Sequence, residues 1–111
     1  MKIERQRIGT VEVCTPFGPL VEEDAQEFVE ALIERLRGPN PRVVVSLHEV
    51  PYVDSIALEG FAEAADELDD MASRLKLVQV TPSCREAMEL TGLASRFQFF
   101  EEVGDAVRSF V

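Results

Sequence analysis

The chain has 111 residues, of which 46% are apolar and 29% are charged, and its formal net charge is −10. This length suits one globular domain, and no apolar run approaches the roughly 20 residues that a membrane-spanning helix needs. The negative charge repels nucleic acid backbones and anionic lipid surfaces, so it disfavours nucleic acid as a partner and insertion into a membrane.

Two short strands are predicted at the N-terminus. Residues 2–7 form a polar strand at most, and they contain no apolar signal-peptide core, which favours a cytoplasmic protein. Residues 10–15 alternate apolar and polar side chains, as expected for a strand that pairs with the first in a hairpin. Pro16 and Pro19 end this strand.

A first helix is predicted over residues 22–37. Its apolar side chains recur at helical spacing: Ala25, Phe28, Val29, Leu32, Ile33 and Leu36. Acidic residues in the first turn and Arg35 and Arg37 in the last turn suit the helix dipole. The Gly-Pro-Asn-Pro sequence at residues 38–41 cannot continue the helix.

The centre of the chain predicts a buried strand, a short loop and a second helix. The strand, residues 42–47, is rich in valine, and the helix spans residues 55–72. The apolar stripe of this helix consists of Leu58, Phe61, Ala62, Ala65, Leu68 and Ala72. Asp54 and Ser55 occupy the positions of an N-cap. Gly60 costs a helix about 1 kcal/mol relative to alanine, which indicates close approach of a neighbouring strand.

The remaining elements alternate between strand and helix. Residues 75–80 predict a buried strand parallel to the central one. Thr81 is the predicted N-cap of a third helix that Gly92 terminates, with Ala87, Met88 and Thr91 facing inward. A strand at residues 97–100 and a C-terminal helix follow. The order β-β-α-β-α-β-α-β-α predicts an α/β domain with four helices on a mixed, mainly parallel sheet.

Nine side chains are predicted to belong to the core: Phe28, Leu32, Val43, Val45, Phe61, Leu68, Leu77, Val78 and Met88. The acidic residues along the second helix are interpreted as a solvated face.

Few residues have the types and spacing that catalysis or metal binding needs. Cys14 and Cys84 form no metal-binding or redox pair, so free, buried thiols are expected. His48 is the one histidine and suits a turn after the central strand. The glycines form no phosphate-binding loop. We therefore expect no catalytic activity, no cofactor and no metal.

The sequence Asp-Ser-Ile-Ala-Leu-Glu at residues 54–59 resembles the signature of the STAS domain family, the anti-sigma factor antagonists. Members show Asp-Ser-Ser/Thr-Gly-Leu-Gly at a helix start after an apolar strand. Asp54, Ser55 and Leu58 match, whereas Ile, Ala and Glu replace the second hydroxyl residue and the two glycines. The turn at residues 18–20, the third helix with its final Gly-Leu pair, and the order of elements are similar as well. The resemblance implies one STAS domain over residues 1–111.

The resemblance also implies a non-enzymatic regulatory binding protein. Anti-sigma factor antagonists bind a kinase-like anti-sigma factor, which uses ATP to phosphorylate the serine after the aspartate and so releases the complex. Here that serine is Ser55. The hypothetical partner-binding residues surround it: Tyr52, Val53, Asp54, Ser55, Ile56 and Glu59.

Other interpretations stay open. Related STAS proteins are subunits of phospholipid-transport ATPases or of stress-signalling assemblies, in which the same surface would dock a partner without phosphorylation. A small-ligand or lipid-binding module is a different class, because α/β sheets bind ligands at the carboxyl ends of their strands. The plainest interpretation is that Asp54 or Ser55 only caps the helix.

Overall fold

A five-stranded sheet forms the centre of the computed structural model, which describes residues 1–110. The strands are β1 (Ile3–Ile8), β2 (Val11–Pro16), β3 (Val43–Ser46), β4 (Leu75–Val78) and β5 (Phe97–Phe100). The helices are α1 (Glu22–Leu36), α2 (Ser55–Asp69), α3 (Pro82–Leu90) and α4 (Val103–Arg108), and a 3-10 turn, Ala94–Arg96, precedes β5. None of the helices within residues 1–110 has the length and apolar content that crossing a bilayer requires.

The strands follow one another across the sheet in chain order. β1 is antiparallel to β2, whereas the pairs β2–β3, β3–β4 and β4–β5 are parallel. Right-handed crossovers between successive parallel strands place α1, α2 and α3 on one face of the sheet. α4 packs on the other face, where it joins a smaller apolar cluster. The predicted α/β class, with a mixed, mainly parallel sheet and four helices, is confirmed.

The core lies mainly between the sheet and the layer of three helices. Val43 and Val45 of β3 point into this larger cluster, whereas Val44 between them points toward α4. All nine side chains predicted to be core are at most 7% exposed. Strand β3 is therefore buried on both faces, as its run of valines predicts.

Two residues predicted to face inward from their helices, Ala72 and Thr91, are exposed. α2 ends at Asp69, so Ala72 lies beyond the helix, exposed, with a φ of 51°. Thr91 is also exposed, because it is the residue after the last turn of α3, where its hydroxyl donates to the carbonyl oxygen of Ala87 at 2.8 Å. In both cases the helical spacing in the sequence continues past the residue at which the backbone leaves the helix.

The acidic face of α2 is partly neutralised by arginines from neighbouring segments. Arg37, just after α1, contacts Glu67 at 2.8 Å. Arg96, in the 3-10 turn, contacts both Asp66 and Asp69 at 2.7 Å. These ion pairs connect α2 to the ends of the segments on either side of it.

Gly60 allows α2 to approach α1 closely, and the prediction that a strand would approach it was wrong. A Cβ atom added at Gly60 would lie 2.1 Å from Cγ2 of Val29 on α1. Nearby, the rings of Phe28 and Phe61 pack with their centroids 6.3 Å apart. The layer that covers this face of the sheet therefore depends on a glycine at the helix crossing.

We predict that Gly60→Ala destabilises the domain by about 1–3 kcal/mol, because the added methyl group overlaps Val29 and forces the helices apart. Chemical denaturation measures this loss. The control is Gly104→Ala in α4, where the added Cβ meets the flexible end of Arg108 at 3.2 Å, so that little stability is lost. Val29→Ala should recover part of the stability in the Gly60→Ala background. A Gly60→Ala protein as stable as the parent would contradict the close crossing.

Candidate functional site

The connection between β3 and α2 lies at the edge of the sheet where the parallel strands end, alongside the connection between β2 and α1. The amide of Leu20 donates to the carbonyl oxygen of Tyr52, and the amide of Asp54 donates to that of Leu20, each at 3.1 Å. The two segments thereby form a short parallel bridge between Leu20 and Val53. These bonds fix the backbone immediately before α2.

Residues at the start of α3 also hold the connection between β3 and α2. Val50 is fully buried, and its carbonyl oxygen accepts hydrogen bonds from Thr81 Oγ1 at 2.7 Å and from Cys84 Sγ at 3.4 Å. Thr81 is the N-cap residue of α3, as predicted, but its side chain makes no capping bond. Its hydroxyl holds the loop before α2 instead.

The Asp54 carboxylate joins the starts of two helices. Its Oδ1 accepts from the amide of Ala57 at 3.1 Å, which caps α2 as predicted. Its Oδ2 accepts from the amide of Glu22 at 2.7 Å, at the start of α1. α1 has no side-chain cap from its own N-cap residue, Val21, and Glu22 has a φ of 48°, which a non-glycine residue rarely adopts. Asp54 therefore supplies the cap that the α1 sequence lacks.

The ionised form of Asp54 is favoured by these bonds. Burial alone would raise the pKa of the Asp54 carboxyl group. The backbone amides that donate to it, led by that of Glu22, outweigh burial and hold the pKa below its ordinary value of 3.8. At neutral pH the carboxylate is a fixed negative charge at the positive ends of two helices.

The six residues predicted to bind a partner lie together around the start of α2, and we refer to them as the Ser55 surface: Tyr52, Val53, Asp54, Ser55, Ile56 and Glu59. Ser55 is the first residue of α2 and is exposed, as is Glu59 one turn later. Tyr52 and Ile56 expose 51% and 40% of their surface. Val53 is partly buried by the bridge to Leu20. Asp54 is partly buried where its carboxylate accepts hydrogen bonds from backbone amides.

Sequence reasoning missed the segment that borders this surface on the α1 side. Glu22 and Glu23 are exposed there, and Glu49 is exposed in the β3–α2 connection. Glu49 is tied to the β2–α1 segment through its carbonyl oxygen, which accepts from the amide of Gly18 at 3.0 Å. The resemblance of residues 18–20 to a family turn was the available signal. The Ser55 surface therefore has an acidic rim.

Ser46 and Cys14, two nucleophilic side chains outside this surface, are buried. His48 lies in the turn after β3, with Nδ1 2.8 Å from Ser46 Oγ and Nε2 3.5 Å from Glu49. Ser46 is only 1% exposed, so a substrate cannot reach its hydroxyl. Burial, with the charge of Glu12, raises the pKa of the Cys14 thiol to about 11.

Both cysteines are free and buried, as predicted, and burial also raises the pKa of Cys84. Across residues 1–110, no three metal-ligating side chains come together in a group that could hold an ion.

Comparison with known families agrees with an α/β domain of this architecture. The model of the STAS domain matches residues 2–106. The chain therefore belongs to the STAS domain family, and the family resemblance of residues 54–59 is confirmed. No curated protein sequence matches it significantly.

Several solved structures share the fold. An anti-sigma factor antagonist from Thermotoga maritima is 18% identical with a TM-score of 0.85, over 96% of this chain and 92% of the other. The Bacillus cell fate determinant SpoIIAA, in its phosphorylated form, is 15% identical with a TM-score of 0.72, over 97% and 99% of the two chains.

The murine anion transporter Slc26a9 is 17% identical with a TM-score of 0.75, over 94% of this chain but 18% of the transporter. These matches show a fold that occurs both as a separate chain and inside a larger membrane protein.

We predict that Asp54→Asn lowers the free energy of unfolding by about 1–2 kcal/mol at pH 7, because the NH2 group of asparagine, which only donates, replaces one of the two accepting carboxylate oxygens. The pKa of Asp54 is lower in the folded chain, so its contribution is complete above the unfolded pKa of about 4 and is lost as the pH falls through the folded value. The difference between parent and variant should therefore be constant from about pH 7 to pH 5 and shrink below about pH 4.

Urea denaturation across this range measures the difference. The control is Glu86→Gln, which removes an exposed carboxylate of α3 that makes no hydrogen bond within residues 1–110. A pH-independent difference between Asp54→Asn and the parent would show that the carboxylate charge is not what holds the two helix starts.

Proposed function

We propose that this chain is a non-enzymatic regulatory protein of the anti-sigma factor antagonist type. It docks a kinase-like anti-sigma factor through the Ser55 surface, and phosphorylation of Ser55 releases the complex. The observation that carries the proposal is the exposed Ser55 hydroxyl at a helix start, flanked by two exposed apolar side chains, Tyr52 and Ile56. This function implies that the protein acts in the cytoplasm, where transcription is regulated.

Tyr52 and Ile56 support a docking role. Exposed tyrosine provides a large apolar contact area together with a hydroxyl group, and such residues are over-represented among those that contribute most to binding energy. The backbone that carries them is already ordered by the Leu20 bridge and by the bonds from Thr81 and Cys84 to Val50. An ordered surface loses less conformational entropy when a partner binds.

The hydrogen bonds of Asp54 support a phosphorylation switch. A phosphate at a helix start is normally stabilised by free backbone amides. Here the amides of Ala57 and Glu22 already donate to the Asp54 carboxylate. A phosphoryl group on Ser55 would add about −1.5 to −2 charges beside Asp54 and one turn from Glu59, with these amides occupied. The helix dipole tolerates this charge in the free protein, but the charge would have to lose water when a partner docks over it, which weakens the complex.

The structures of SpoIIAA in its phosphorylated and unphosphorylated forms, both of this fold, support the proposal by analogy. A second candidate function is docking without phosphorylation, as a component of a larger assembly. The specific observation in its favour is Glu59, an exposed charge where family members have a glycine, together with the occurrence of the fold inside Slc26a9. Both functions use the Ser55 surface.

We predict that Ser55→Asp weakens binding of the partner more than a hundredfold, because an unpaired charge buried at an interface costs about 3–5 kcal/mol. Ser55→Ala should keep the fold and lose at most about 1 kcal/mol of stability, because Asp54 is the side chain that caps α2. The partner is captured by pull-down from the native host, and affinities are measured by calorimetry. Ser83→Asp, an exposed serine in the first turn of α3, is the matched control and should bind like the parent.

Peptide mass spectrometry after incubation with the captured partner and ATP distinguishes the two functions. Phosphate on Ser55, with the Ser55→Ala complex resistant to ATP, supports the switch. If Ser55 stays unmodified and Ser55→Asp still fails to bind, the result supports docking without phosphorylation. If Ser55→Asp binds the partner as tightly as the parent does, both functions are rejected. Ser55 is then only the first residue of α2.

A further inference from the structure

A polar cavity of about 410 Å³ lies at the other edge of the sheet, where the parallel strands begin. Its wall is formed by the segment before β3, the turn after α2, strand β4 and the end of α4. Arg42 precedes β3, whereas Asp54 follows it, so this cavity and the Ser55 surface are at opposite edges of the sheet. The two sites share no residue.

Lys76 is a buried cation in this wall. It is only 6% exposed, and it lies on the face of β4 that points toward α4. Its Nζ donates to Gln98 Oε1 at 2.7 Å and lies 4.6 Å from the centroid of the Phe110 ring. Within residues 1–110 it forms no ion pair with a carboxylate. Burial lowers the pKa of Lys76, which is the expected result when no anion compensates the charge.

Arg42 is a second cation of the same cavity. It is partly buried, and its Nη1 donates to Thr10 Oγ1 at 3.1 Å, but no carboxylate of the described residues pairs with it. Arg35, Arg37 and Arg96 each contact a carboxylate, whereas Arg42, like Arg5, Arg7 and Arg74, forms no ion pair within residues 1–110. In a chain with 21 acidic residues, none of the residues that line this cavity is acidic.

The rest of the wall indicates the class of ligand. Asn40 and Ser73 add neutral polar side chains, and Met71 and Phe110 add apolar surface. A volume of this size accepts a small organic molecule, and a single inorganic ion would leave most of it empty. The ligand that matches the wall has one anionic group and a compact apolar body.

We propose that this cavity binds a small organic anion, with its carboxylate or phosphate group between Arg42 and Lys76 and its apolar portion against Met71 and Phe110. The anion supplies a counter-charge that none of residues 1–110 gives Lys76, and charge-assisted hydrogen bonds to both cations hold it. This site requires no phosphorylation and no partner protein, so its test is separate from that of the Ser55 surface.

The test is a titration of the uniformly ¹⁵N-labelled chain with phenyl phosphate, followed by amide chemical shifts. We expect saturable shifts at Ser73, Lys76 and Ser109, while Ser55 and Ile56 do not move. Inorganic phosphate and phenol, the two halves of the probe, should each bind at least about tenfold more weakly. Lys76→Met should weaken binding of phenyl phosphate by about ten- to hundredfold, the range expected when one charged hydrogen bond is lost.

The matched control is Arg5→Gln, which removes an equal charge from the exposed face of β1 and should bind like the parent. Circular dichroism checks that Lys76→Met is folded; if it is not, Arg42→Gln is used and should show the same weakening. The proposal is overturned if the parent shows no saturable shifts, if the shifts map around Arg85 and Phe99 at the other edge of the sheet, or if the folded cavity variant binds as tightly as the parent.

Discussion

The carboxylate of Asp54 is the interaction on which the candidate site depends. One oxygen accepts from the start of α2 and the other from the start of α1. A single negative charge thus satisfies backbone amides at the positive ends of two helices. Because the same residue immediately precedes Ser55, the position of the exposed hydroxyl is set by a bond that spans two helices.

The parts of this structure that could be read from the sequence are those determined by neighbours in the chain. The valine run of β3, the apolar stripe of α1 and the Asp54 cap of α2 each follow from local patterns, and all are present in the fold. The second bond of Asp54 joins residues 32 positions apart, and no local pattern indicates it. The bond from Thr81 to Val50, 31 positions apart, was missed for the same reason.

The close contact at Gly60 could be predicted from the sequence only in part. A glycine inside a helix indicated that something approaches closely, but the identity of the neighbour depends on how the crossovers place α1 beside α2. The sequence therefore predicted the existence of the contact and not its partner. The cavity beside Lys76 is a further case, because it depends on where the short helix α4 stops on the sheet.

The close crossing of α1 and α2 at Gly60 also limits how a structural change at the start of α2 can be transmitted through the domain. Helices that meet through a glycine and a valine, with further aromatic packing beside them, have no room to slide or rotate against each other without overlap. Asp54 joins the two helices again at their N-termini. A chemical change at Ser55 would therefore act directly on a molecule that touches this surface, and a movement of α1 against α2 would meet the contact of Gly60 with Val29.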